Sequence, residues 1–144
     1  MLTRFREKMD LAVQNRVEKG LGGGCADEQK DVRSQIDPMV LDLKHLDQYT
    51  NGDMALEREL LGLFKEQAVL QFENINNAGD ESEWIMAAHT LKGCARGVGA
   101  CRVGELSGVL EDVGFDGDAD VRASILEQLK YAIAVCIVTV ETLE

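Results

Sequence analysis

The chain has one proline, Pro38, and only two histidines, His45 and His89, in 144 residues. A single proline leaves long stretches free to be helical, since proline alone combines a fixed φ with a missing N–H. Two histidines far apart in sequence argue against a zinc site, and none of the four cysteines, Cys25, Cys94, Cys101 and Cys136, forms a C-x-x-C pair. These thiols read as reduced packing residues of a cytosolic protein. Aromatic residues make up 5%, so the core must be mainly aliphatic. There is no G-x-x-x-x-G-K-S/T phosphate loop or other nucleotide-binding signature. Basic residues are scarce as well: 15 Lys and Arg stand against 26 Asp and Glu, a net charge of −11. That balance argues against nucleic acid, whose phosphates need clustered Lys and Arg. Met1 to Gly20 mixes charges and lacks a continuous apolar run, so no signal peptide is expected. The longest apolar stretch, 131–140, is about half of what a bilayer requires, so no membrane span is expected. A cytoplasmic location follows.

What is present is ordinary globular composition, 45% hydrophobic and 28% charged, at a length suited to one domain with one core. Leu2, Phe5, Met9, Val13 and Val17 recur at spacings of three and four, as on an amphipathic helix. Residues 1–20 carry five basic and three acidic side chains, net +2, so the remainder carries −13. Gly20-Leu21-Gly22-Gly23-Gly24 breaks any such helix, and the polar stretch that follows reads as a linker. The expected organisation is an N-terminal arm and glycine-rich linker over 1–35 and a folded domain over 36–144. The arm is either a docking or dimerisation element or loosely ordered. The domain is expected to be a monomer.

Within the domain, Asp37-Pro38 suggests a capped start to a short helix reaching Tyr49, stopped by Thr50-Asn51-Gly52. Asp53 starts a second helix with Leu56, Leu60, Leu63, Phe64, Gln67 or Ala68, and Ile75 on its apolar side, ending near Asn77. Asp80 or Ser82 caps a third, running to about Val98. A fourth spans about 100–114, with Val103, Leu106, Val109, Leu110 and Val113 on one side. The last begins near Ala119. Its run Ile133 to Val140 is β-branched and favours strand by propensity. Yet Ile125, Leu129, Ile133, Cys136, Val140 and Leu143 fall at helical steps, and no other strand exists to pair with it, so helix is predicted. Four long helices joined by short turns predict an all-α fold, an antiparallel four-helix bundle, with the additional short N-terminal helix covering one end.

The informative stretch is Ala87-Ala88-His89-Thr90-Leu91-Lys92-Gly93-Cys94-Ala95-Arg96-Gly97-Val98-Gly99-Ala100. On a helix, Trp84, Ala88, Leu91, Ala95 and Val98 share the core face, and His89 turns roughly 100° away from Ala88, towards solvent. Lys92, Gly93 and Arg96 are its neighbours at three, four and seven positions on. A mid-helix glycine costs about 1 kcal/mol against alanine, which suggests a close approach at Gly93. His45, in Leu43-Lys44-His45-Leu46, reads as a plain surface histidine. Ile85 and Met86 are apolar where solvent is expected; they form part of a partner patch or are scattered surface residues.

The run Ala88-His89-x-Leu91-Lys92-Gly93-x-Ala95, followed by Gly97, Gly99 and Leu110-Glu111, resembles the signature of the histidine phosphotransfer (HPt) family. Glu59-Leu60-Leu61 and Phe64 resemble that family's first bundle helix, and the likeness covers about 36–143; Cys94 stands where the family often has alanine. The resemblance implies that His89 is the phosphoacceptor, that Lys92 and Gly93 are its motif neighbours, and that Glu111 hydrogen-bonds the imidazole. It implies docking with receiver domains of response regulators, and with a hybrid histidine kinase, on the His89 face; Gly93, Arg96, Ile85 and Met86 are the contact residues expected there. It also implies that Mg²⁺ and the catalytic aspartate belong to the receiver, so no cofactor and no metal are expected on this chain. The chemistry suits the residues. A histidine ordinarily titrates near pH 6.5, so its neutral ring is available as nucleophile and later as leaving group. A carboxylate fixes the tautomer, and a lysine offsets part of the roughly two negative charges of the product. The expected function is a phosphoryl carrier, not an enzyme acting on ATP. A phosphorylation-independent helical adaptor is the alternative.

Overall fold

The computed structural model describes residues 35–143. The arm and linker expected over 1–35 fall outside the described residues apart from Gln35. Five helices follow one another among the described residues: α1 (Leu43–Thr50), α2 (Met54–Asn76), α3 (Glu81–Val98), α4 (Cys101–Val113) and α5 (Ala119–Leu143). Successive long helices pack against each other across short turns, and α2 meets α5 to close an antiparallel four-helix bundle. α1 lies against α2 and α3 at one end.

Local chemistry sets the helix starts. The Asp53 carboxylate accepts the Leu56 N–H at 3.1 Å, Asp80 accepts that of Glu83 at 2.8 Å, and Asp118 accepts those of Asp120 and Val121. Each satisfies donors that the first turn leaves unpaired. α1 starts later than Asp37-Pro38 suggests. Asp37 does close one turn, accepting from Val40 and Leu41 through its carbonyl. The turn then stops, because the Asp42 N–H donates to the Gly99 carbonyl and the Arg102 N–H to that of Met39, both at 2.8 Å. These bonds tie the segment to the α3–α4 turn, and Asp42 becomes the cap instead. Gly99 has φ +86, and a Cβ there would lie 2.6 Å from the Asp42 oxygen; only glycine permits that approach.

The core is aliphatic around Phe64 and Trp84. The periodic sets expected for α2 and α3 are buried throughout. In α4, Val109 is instead 42% exposed and Val113 half-buried, because that helix has bundle neighbours only on the α3 and α5 sides. α5 is long and apolar enough, by length and composition, to cross a membrane. The reading of uninterrupted runs overlooked this, since Lys130 divides the apolar stretch. In the bundle α5 is the fourth helix, with Ile125, Leu129, Ile133, Cys136 and Val140 buried.

Three contacts pin α3 against α4 and α5. The Trp84 indole N–H donates to the Leu110 carbonyl at 2.8 Å in the core. The Glu81 carboxylate accepts from the Phe115 N–H at 3.2 Å, and the Arg122 guanidinium stacks over the Trp84 and Phe115 rings. They set the register of α3 on α4.

Candidate functional site

The core stripe of α3, formed by Trp84, Ala88, Leu91, Ala95 and Val98, is at most 3% exposed. His89, one position beyond Ala88, turns outward, and its side chain is 68% exposed. The α3–α4 register brings Glu111 beneath it: Nδ1 of His89 lies 3.0 Å from Oε2 of Glu111. An ionised carboxylate can only accept, so in this contact Nδ1 carries the proton. In the neutral ring Nε2 then holds the free lone pair, and it has no hydrogen-bond partner among the described residues.

The other oxygen of Glu111, Oε1, is 2.7 Å from Nζ of Lys92. The contact is a short, charge-assisted ion pair at an oxygen shielded from solvent. The Lys92 ammonium, first, and the His89 ring, to a lesser degree, hold the Glu111 carboxyl below its ordinary 4.5, outweighing the opposing effect of burial. Both members of the pair are about a fifth exposed, 22% and 21%, so the carboxylate is charged, partly sheltered and fixed from both sides. Glu111 thus contacts His89 through one oxygen and Lys92 through the other.

Two residues that the sequence did not single out lie beneath the cationic side chains of α3. A Cβ at Gly108 would lie 3.4 Å from Cδ of Lys92, and one at Gly104 would lie 3.3 Å from Cγ of Arg96. Gly104, Gly108 and Glu111 follow at steps of four and three on the α4 face towards α3. Their bare backbone lets the Lys92 and Arg96 stems lie across α4. Two helix-disfavoured glycines four apart on one face were the signal available in the sequence.

The other expected site residues are on the surface. Nothing lies within 4 Å of a Cβ built on Gly93, so no neighbour among the described residues requires glycine there. Arg96 is exposed in the last turn of α3. Ile85 is 37% and Met86 68% exposed, and Met86 borders a shallow depression with Gln71, Asn74 and Thr90. His45 differs from the plain surface histidine of the sequence reading. It is half-buried in α1, edge-on to Tyr49 at 5.2 Å between ring centroids, and its Nε2 is shielded without a hydrogen-bond partner among the described residues. Packing of α1 across the bundle end causes this. No group of three or more His, Cys, Asp or Glu suited to a metal ion comes together among the described residues.

A family model described as Hpt domain matches residues 59–135. The matched span runs from the first turns of α2 into α5 and contains His89, Lys92, Gly93 and Glu111. No curated protein and no solved structure matches the chain.

Proposed function

The chain belongs to the Hpt domain family, whose members carry phosphoryl groups on histidine in two-component relays, and we propose that His89 is the residue that does so here. The observation that carries this reading is the exposed ring tethered at Nδ1 by Glu111, which leaves Nε2 to meet a partner.

The donor in this reading is the aspartyl phosphate of a receiver domain. The Nε2 lone pair attacks phosphorus, the bond from phosphorus to the aspartyl oxygen breaks, and the aspartate leaves as a carboxylate. The ring, now bonded at Nε2 and still protonated at Nδ1, is positively charged, and the Glu111 carboxylate stabilises it. The reverse steps hand the phosphoryl group to the aspartate of another response regulator. A hybrid histidine kinase is a further source through its own receiver. Lys92 keeps Glu111 ionised in the resting state and lies near enough to offset charge on the phosphoryl oxygens once a docked receiver excludes water. The open surface at Gly93, with Arg96, Ile85 and Met86 around it, receives the partner. Mg²⁺ and the acidic residues that hold it belong to the receiver, and this chain needs no cofactor. The working form is a cytoplasmic monomer.

Incubation with a panel of phosphorylated receiver domains tests the proposal. Label should move to this chain from at least one of them as acid-labile, base-stable phosphate. Retention of all label on every receiver, with the bundle intact, contradicts it.

A further inference from the structure

Two and a half turns along α4 from Glu111, a groove of about 420 Å³ opens between the start of α4 and the middle of α5. Val40, Val103, Tyr131, Ala132 and Val135 line it, and Glu127 stands at its margin. The lining is almost wholly apolar. Arg102 and Gln128 line it too, bonded to each other at 3.4 Å. Tyr131 is 73% exposed and Val138, two turns further along α5, 63% exposed. A large aromatic left in water in an apolar trough makes a surface that gains by being covered. None of these residues belongs to the His89 site.

The chain itself supplies a cover of the right kind. The described residues begin at Gln35, five positions before Val40 in the groove wall. That segment contains Leu2, Phe5, Met9, Val13 and Val17 at helical spacing. As a helix they would form an apolar stripe about 22 Å long. Between stripe and bundle lies the glycine-rich stretch from Gly20 to Gln35. As a flexible chain it spans about 20 Å on average, which holds the segment near the groove at an effective concentration on the order of millimolar. Residues 1–20 carry net +2 and the remainder −13; at the groove itself Glu127 and Arg102 balance.

We propose that residues 1–20 form an amphipathic helix that folds back in cis and lays its apolar face in the α4–α5 groove against Tyr131. The docked arm covers the flank of the bundle and leaves the His89 face open to partners.

The test uses the full chain with Tyr131 replaced by photoreactive benzoylphenylalanine, as an equal mixture of ¹⁴N and ¹⁵N protein. Irradiation followed by mass spectrometry should join position 131 to peptides within residues 1–20, each product carrying one isotope. Products of mixed isotope would mean that a second copy occupies the groove, and the proposal fails. Absence of any product within residues 1–20 overturns it equally. Phe5→Glu combined with Met9→Glu, in the same chain, should lower the yield at least tenfold while thermal unfolding stays cooperative. An unchanged yield would show that the apolar stripe is not what docks.

Discussion

The Glu111 carboxylate and the His89 imidazole meet at 3.0 Å across two helices, 22 positions apart in sequence. Without that contact an exposed ring would sample both tautomers and several rotamers. With it, one nitrogen is committed to an internal acceptor and the other is presented to solvent. Trp84 and Glu81, through their bonds to Leu110 and Phe115, hold the helix register on which the contact depends.

Glu111→Ala should release the ring. Imidazole ¹⁵N spectra of the neutral side chain should show mainly the Nδ1–H form in the parent protein and a larger share of Nε2–H in the variant. Phosphoryl acceptance should slow by roughly tenfold, about 1.4 kcal/mol in the barrier. Glu111→Gln, whose amide oxygen still accepts from Nδ1, should recover most of the tautomer preference. An unchanged tautomer ratio in Glu111→Ala would mean the carboxylate does not set it.

The depressed Glu111 pKa has a consequence for stability. A carboxyl whose folded-state pKa lies below the unfolded value makes its contribution in full above the unfolded value, and loses it as pH falls through the folded one. The window therefore opens near the ordinary 4.5 and extends downward. The parent protein should lose thermal stability more steeply than Glu111→Gln below that pH. Parallel curves down to pH 3 would contradict the assignment.

Two glycines in one segment should respond in opposite directions. Gly93→Ala meets open space in mid-helix and should stabilise the bundle by up to about 1 kcal/mol through helix propensity. Gly99→Ala combines φ +86 with a 2.6 Å overlap on the Asp42 oxygen and should destabilise it by at least about 1–3 kcal/mol. Denaturant titration reads both. Gly93→Leu, equally well folded, should fail to accept phosphoryl groups if the receiver approaches over this surface.

The Lys92 stem packs over Gly108, and a long side chain there should disturb it. Gly108→Leu should push the lysine stem off α4 and slow transfer to about the level of Lys92→Ala, which we expect to be roughly tenfold below the parent. Receiver affinity should change little, because in this reading Lys92 acts on the transferring phosphoryl group and not on the docked surface. The double variant should be no slower than either single one. Additive losses would show that Gly108 acts independently of the lysine.

Much of the fold was legible in the sequence because the determining signals are local. Asp53 and Asp80 announce helix starts that their side chains do cap. In α5, helical spacing from Ile125 to Val140 overrides the β-branched run Ile133–Val140, since burial of one stripe outweighs a modest propensity. Non-local features were harder to read. Asp42 displaces Asp37 as the α1 cap because a carbonyl from Gly99, distant in sequence, intercepts its N–H. Val109 keeps helical phase with Leu106 and Leu110 yet faces solvent, as the periodic stripe does not reveal how wide the buried face is. At the site, the sequence placed His89 outward and Lys92 beside it from spacing alone. It could not show that Lys92 is engaged by Glu111, or that Gly104 and Gly108 clear the path, because those contacts exist only once α3 lies on α4. The pairing of Glu111 with His89 came from the family resemblance, and the two side chains are indeed in contact.

The most direct test of the account is the location of the phosphoryl group. After transfer from a phosphorylated receiver, the chain and its His89→Gln and His45→Gln variants should be compared by intact mass and by ³¹P–¹⁵N correlation. The account predicts one phosphoryl group per chain, bonded to Nε2 of His89, present in the parent and His45→Gln and lost in His89→Gln with helix content unchanged. Labelling that persists in a folded His89→Gln protein, or a phosphorus–nitrogen correlation to Nδ1, would contradict it.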